Sequence, residues 1–402
     1  MKVLCLMGLF PKEYEKNILA DSKQNVQSAA SKFQWGIVDG FDCIDEIDFK
    51  ILNSLYIGSY PQRYRKMKIP SFSFSHTEGA DDFNVGFTNL TLYKTFSQYN
   101  GLKKYIDKWV KENKDEKKVI VAYAMTSPFV ELLNYIKRKH KQVVCCLVVP
   151  DLPEYMNVSE RTNLLSYVKE AQIKHYKKAL RTVDCFVLLT KYMAEWFDWD
   201  VKYTVVEGIS AKATSGVTAL NSQRENKILY TGMIEKKYGL MNLVESFMEI
   251  NAPDWTLELY GNGSAVEEIR ELSKKDSRIR LNGTVPNSVV VEEQKKAAIL
   301  VNPRDNTNEF TKYSFPSKVI EYLSSGTSVV AYKLTGMPDE YTDYFYEIPE
   351  VEGGMKKTLE TVMSLSSDDR VKMGARALEF MQKEKSAEVQ CRKIVELLES
   401  CF

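Results

Sequence analysis

Histidine is scarce: His76, His140 and His175 are the only three, and no two share a metal-ligand spacing, which argues against a zinc site. Seven cysteines are scattered, namely Cys5, Cys43, Cys145, Cys146, Cys185, Cys391 and Cys401. They include no Cys-x-x-Cys pair and their number is odd, so reduced thiols in a cytosolic protein are the simplest account. Long apolar runs are absent too. The start, Met-Lys-Val-Leu-Cys-Leu-Met-Gly-Leu-Phe, is too short to span a bilayer and has no small-residue cleavage site. It reads as a first core strand rather than a signal peptide. Excess charge is also missing. Against 54 acidic residues stand 55 basic ones, a net charge of +1, whereas a general nucleic-acid binder needs a clear basic surplus. The expected location is the cytoplasm, with membrane contact at its inner face as an added expectation taken up below.

What is present is a globular chain of 402 residues, 44% hydrophobic and 27% charged. That length exceeds the usual limit of one core, so two domains are expected. Val3 to Met7 reads as a buried strand, and Gly8 in the turn that leaves it is either a close approach for a ligand or a plain tight turn. Residues 14 to 34 read as helical and Asn53 to Tyr60 as a strand. In Tyr60-Pro61-Gln62-Arg63-Tyr64-Arg65-Lys66-Met67-Lys68-Ile69-Pro70, four cations interleave with tyrosines, Met67 and Ile69. Such a mixture suits an anionic bilayer or an acidic acceptor, and equally a solvated basic loop. Residues 71 to 95 have no clear period.

From residue 119 the pattern sharpens. Val119 to Tyr123 is a strand, Ser127-Pro128 starts a helix to about His140, and Val143 to Val149 is a fully apolar strand. This βαβ unit implies a parallel sheet. Asp151 follows at the strand's C-terminal end, where open α/β sheets place ligands, although a turn-forming Asp between prolines reads the same way. Ser159 is expected to cap a helix to about Arg181, followed by strands at Cys185 to Leu189 and Tyr203 to Val206. Asp198 and Asp200 form an Asp-x-Asp with no third ligand in view, so no metal is expected there. Residues 208 to 226 lose periodicity and read as the interdomain linker. A second strand–helix alternation then runs from Lys227 to Tyr332, the pattern of a doubly wound sheet.

One stretch within it stands out: Lys312-Tyr313-Ser314-Phe315-Pro316-Ser317-Lys318-Val319-Ile320-Glu321-Tyr322, running on to Gly326. Pro316 suits a helix start and Gly326 a helix stop. Pro316, Val319, Ile320 and Leu323 make a buried stripe, while Ser317, Lys318 and Glu321 share another face. A helix start offers N–H groups and partial positive charge to an anion, and Lys318 adds a full charge. An ordinary amphipathic helix with one ion pair has the same spacing.

This stretch resembles the donor-site signature of retaining glycosyltransferases of family 4, and the resemblance covers most of residues 227 to 335. It implies an α/β protein of the GT-B fold, two Rossmann-like doubly wound domains facing a cleft. Residues 1–207 would bind the acceptor, 208–385 the nucleotide-sugar donor, and 386–402 would return as a helix to the first domain. Glu321 matches the family's ribose-binding Glu. The family's other Glu falls at Tyr313, and Glu309 is out of register. Two family cations fall at Met233 and Tyr238, so Lys236, Lys237 or Arg304 would supply the charge. The resemblance places the donor diphosphate against Gly8, Gly232, Ser314, Phe315, Pro316, Ser317 and Lys318 as well. Val285 and Pro286 would meet the nucleoside through backbone, and Asp151 and Tyr313 the sugar or acceptor.

The implied activity is metal-independent transfer of a sugar from a nucleotide diphosphate to a hydroxyl of a glycan or lipid-linked acceptor, in surface polysaccharide or glycoconjugate synthesis. Retention of configuration follows from the resemblance alone. No side chain stands out as a general base, and the resemblance gives the acceptor proton to the donor phosphate. No cofactor is implied beyond the nucleotide-sugar, and whether UDP or GDP carries the sugar is not readable. Two alternatives stay open: an inactive sugar-nucleotide-binding partner subunit, suggested by the missing Glu, Arg and Lys, and an epimerase or phosphorylase on the same fold.

Overall fold

The computed structural model describes residues 1–23, 28–155, 163–210 and 224–402, with backbone alone at 163–166. Ser159, most of the 208–226 segment and part of the 14–34 segment therefore lie outside the described residues. The chain divides into two compact units, residues 1–209 with 387–402, and residues 210–386.

In the first unit the strands are β1 (Lys2–Met7), β2 (Asp48–Asn53), β3 (Lys68–Ile69), β4 (Phe72–Phe74), β5 (Asp82–Asn84), β6 (Phe87–Thr88), β7 (Lys118–Tyr123), β8 (Val144–Val149), β9 (Cys185–Leu188) and β10 (Tyr203–Val205). Eight of them form one sheet in the order β10-β9-β8-β7-β1-β2-β5-β4, while β3 and β6 make a separate ribbon. All pairings in the large sheet are parallel except β4 with β5. The sequence explains the centre of this sheet. Val-Cys-Cys-Leu-Val-Val in β8 is buried at every position, as a parallel strand covered on both faces must be. The helices are α1 (Glu15–Asp21), α2 (Ser28–Phe41), α3 (Lys94–Glu112), α4 (Phe129–Lys139) and α5 (Asn163–Leu180).

Two expectations need correction here. The helical stretch from residue 14 is two helices, the second running on to Phe41, with Ser22 pairing to Tyr64 after the first. The strand expected at Asn53 to Tyr60 ends where it should begin. Beyond Asn53 the regular pairing stops and the chain runs irregularly beside the end of β1, with the Ser54 N–H donating to the Met7 carbonyl and the Tyr56 N–H to the Gly8 carbonyl. Leu55 and Ile57 are apolar because they fill a separate small core with Phe10, Ile18, Tyr64, Ile69 and Phe87, not because they extend the sheet.

In the second unit β11 (Glu225–Thr231), β12 (Thr256–Tyr260), β13 (Ile279–Gly283), β14 (Ala297–Asn302), β15 (Ser328–Ala331) and β16 (Tyr346–Glu347) form one fully parallel sheet in the order β13-β12-β11-β14-β15-β16. The order reverses at β11, where β12 lies on one side and β14 on the other. That is the switch point at which such sheets open a crevice at their carboxyl ends. The unit's helices are α6 (Leu240–Met248), α7 (Val266–Ser273), α8 (Asn287–Lys296), α9 (Ser317–Leu323), α10 (Gly354–Ser364) and α11 (Ser367–Glu384). Helix α12 (Ala387–Glu399) then packs on α2 of the first unit. The packing is close: a methyl group on Gly40 would lie 2.3 Å from the Ala387 carbonyl oxygen and 2.4 Å from the Cys391 sulfur.

Candidate donor and acceptor sites

The second unit's site is built at the carboxyl ends of β11 and β14. Thr231 ends β11, and the chain leaves it through Gly232 at φ +150. A methyl group on Gly232 would sit 3.1 Å from the Tyr230 hydroxyl and 3.6 Å from Lys318 Cε, so the turn and the start of α9 adjoin. Neighbouring turns need glycine for the same reason of space. The carbonyl oxygen of Gly232 would be 1.7 Å from a methyl group on Gly261, at φ +143, and the Pro303 carbonyl oxygen 2.1 Å from one on Gly239, at φ +77.

Helix α9 begins after Pro316, which is one residue outside it in extended conformation. Val319, Ile320, Tyr322 and Leu323 are buried, and Gly326 closes the helix at φ +73. That burial turns Lys318 and Glu321 outward together. Lys318 Nζ donates to both Glu321 carboxylate oxygens at 3.0 Å, with both side chains about a third exposed or less. Behind Glu321 stands a buried network that the sequence did not reveal. Gln294 Nε2 donates to Glu321 Oε1 at 2.6 Å and to Thr231 Oγ1 at 3.1 Å. The Tyr322 hydroxyl accepts from the Thr231 N–H at 2.8 Å and donates to the Thr231 carbonyl at 3.1 Å. Glu321 is thus tied to the last residue of β11. No local pattern flags Gln294, which lies 27 residues from Glu321 in a helix otherwise rich in charge.

Arg304 follows the end of β14. Its Nη2 donates to Ser314 Oγ at 2.6 Å, and its guanidinium lies 4.3 Å from the Phe310 ring centroid and 5.9 Å from that of Tyr238. Burial raises the Tyr230 phenol above its ordinary pKa, Tyr322, Tyr238 and Glu235 push it the same way, and the charge of Arg304 opposes them. Lys318 thus adjoins the Gly232 turn, while Arg304, at the end of the neighbouring strand, is near enough for its charge to act on Tyr230. Of the two lysines considered from the sequence, Lys236 pairs with Glu268 of α7, and Lys237 lies over the ring of Tyr238 at 5.3 Å, the ring that Arg304 also approaches. Phe315 is buried against Tyr341, so only its backbone can meet a ligand. Ser317 is exposed at the helix start. Tyr313 is half-buried at the end of a 3-10 turn, Glu309–Tyr313, with exposed Glu309 at its beginning. Val285 and Pro286 join β13 to α8, just beyond Gly283 at φ +66.

In the first unit a second group gathers at the carboxyl ends of β1, β7 and β8. A methyl group on Gly8 would be 2.9 Å from Tyr56 Cβ. Tyr56 and Tyr123 are both raised in pKa, by burial first and then by the nearby negative charge of Asp151. Tyr56 thus packs on Gly8, and Asp151 is near enough for its charge to act on Tyr56 and Tyr123, at the carboxyl ends of these central strands. Asp198 is not part of this group and accepts from Arg181 Nη2 at 2.7 Å.

Residues 225–360 match the sequence pattern of the family described as "Glycosyl transferases group 1". The match supports a glycosyltransferase enzyme. The whole chain is also similar in structure to proteins of low sequence identity. A sucrose-phosphate synthase from Thermosynechococcus elongatus superposes with a TM-score of 0.64 at 13% identity, over 100% of this chain and 99% of that one. The lipopolysaccharide outer core galactosyltransferase WaaB, in its apo form, gives 0.61 at 12% identity, over 100% of both chains. Anabaena Alr3699/HepE in complex with UDP gives 0.60 at 12%, also over 100% of both. The fold is GT-B. No curated protein sequence matches the chain.

Proposed function

We propose that this GT-B protein moves a sugar from a nucleotide diphosphate to a hydroxyl of a glycan or lipid-linked acceptor, with retention, in surface polysaccharide or glycoconjugate synthesis. The observation that carries the proposal is the Lys318–Glu321 pair beside the Gly232 turn, with Arg304 at the end of the adjacent strand, inside the segment that matches a glycosyltransferase family. Two cations and a helix start suit a diphosphate, whose charge grows as the sugar leaves. Glu321, held by Gln294 and Lys318, is the proposed partner of the ribose hydroxyls. The same-fold protein solved with UDP supports a nucleotide diphosphate as the donor class. Asp151 and Tyr56 at the carboxyl ends of the first sheet's central strands are the proposed acceptor contacts, and Tyr313 is the proposed neighbour of the donor sugar where the resemblance has Glu.

The test combines binding and turnover. A nucleotide diphosphate, UDP or GDP, raises the melting temperature, because a ligand that binds only the folded state stabilises it. Transfer of label from the matching nucleotide-sugar persists in excess EDTA, since cations of the chain serve the diphosphate. Loss of transfer in EDTA, restored by a divalent ion, would overturn the metal-independent reading. Binding without turnover on any acceptor would instead make the chain a sugar-nucleotide-binding partner subunit.

A further inference from the structure

Six of the fourteen large hydrophobic side chains that the described residues leave exposed lie in one corner of the first unit. Leu92 is 97% exposed and Phe96 58%, with Tyr93 beside Phe96 at 5.5 Å between ring centroids. Leu90, Met67 and Leu19 are exposed as well. These come from three separate stretches that backbone hydrogen bonds bring together. The Asn89 N–H donates to the Met67 carbonyl at 2.7 Å, and the Tyr60 N–H to the Asn89 carbonyl at 2.9 Å. The Arg65 N–H donates to the Asp21 carbonyl at 2.9 Å, which joins the end of α1. Below them lies the small core containing Tyr64 and Ile69, so the corner is a firm platform rather than a loose loop. Its flank is basic: Arg63, Arg65 and Lys68 are all exposed, and Lys66 is exposed while pairing with Asp21 at 2.7 Å.

We propose that this corner docks on an anionic bilayer, with Leu92, Tyr93 and Phe96 entering the interface and Arg63, Arg65 and Lys68 meeting lipid phosphates. Apolar and aromatic tips rimmed by cations are what such an interface selects. The sequence pointed to residues 61–70 alone. It missed the apolar half, because Leu92, Tyr93 and Phe96 straddle the start of α3 without any period. The inference is independent of the transfer reaction.

The test is co-sedimentation of the full chain with vesicles of phosphatidylglycerol and phosphatidylcholine, and with phosphatidylcholine alone. Wild type should bind the anionic vesicles at least ~10-fold more tightly, and less so at high salt. Leu92→Ser with Phe96→Ser should lower that binding by at least ~10-fold, and so should Arg63→Ser, Arg65→Ser and Lys68→Ser together, at about fivefold per cation. All changed side chains are exposed, so melting temperatures should stay at the wild-type value. Equal binding to neutral vesicles, no binding, or variants that bind like wild type would overturn the proposal. So would a dimer that the Leu92/Phe96 variant dissociates while wild type ignores vesicles, which would assign the corner to a second copy.

Discussion

Arg304→Ala combined with Lys318→Ala is expected to lower kcat/KM for the nucleotide-sugar by roughly three orders of magnitude. Each cation would make a charge-assisted bond to the diphosphate, worth about 1.5–3 kcal/mol, and both bonds strengthen as negative charge develops on the leaving group. Two such losses amount to about 3–6 kcal/mol, or roughly two to four orders of magnitude. Folding should survive. The Lys318–Glu321 pair is partly solvated, and pairs of that kind contribute about 0–1 kcal/mol. Arg304 also rests on Phe310 and bonds Ser314, so Arg304→Lys is the control that keeps charge while losing the planar fork. Steady-state kinetics and melting curves of the three proteins decide it. A double variant within about threefold of wild type would remove both residues from the donor site.

Glu321→Ala should cost one to two orders of magnitude in kcat/KM, equivalent to about 1.5–3 kcal/mol for hydrogen bonds to a charged group. Its carboxylate sits one turn inside α9, fixed by Lys318 on one side and Gln294 on the other. The fold should survive, since the buried stripe of α9 does not include Glu321, although the buried Gln294 amide loses an acceptor at a cost of about 1–3 kcal/mol. Glu309→Ala, at an exposed position on a 3-10 turn, should change kcat/KM much less. Donor binding by the Glu321 variant equal to wild type would detach the carboxylate from the ribose.

Much of the fold is legible in the sequence, and the reasons are local. The strands Lys118–Tyr123 and Val144–Val149 and the helix between them announce themselves through uninterrupted apolar runs and a 3.6-residue period. Helix α9 does so through its flanking Pro316 and Gly326. What could not be read is what depends on long-range contact. Leu55 and Ile57 look like a strand because apolar alternation does not say which core will receive it. Residues 71 to 95 escape because β4 and β5 are three residues each, and β6 two, too short to establish a period. At the site, Lys318 and Glu321 are legible from their spacing on one helix. The support from Gln294, Thr231 and Tyr322 is not, because it joins three elements far apart in the chain.

Hydrogen–deuterium exchange of the full chain, with and without a saturating nucleotide diphosphate, tests the placement of the donor site most directly. The account predicts slowed exchange concentrated in three segments: residues 230–239 after β11, residues 302–305 after β14, and residues 314–323 across the start of α9. Protection that spares these segments and falls elsewhere in the chain, under conditions where binding is shown by melting temperature, would contradict it.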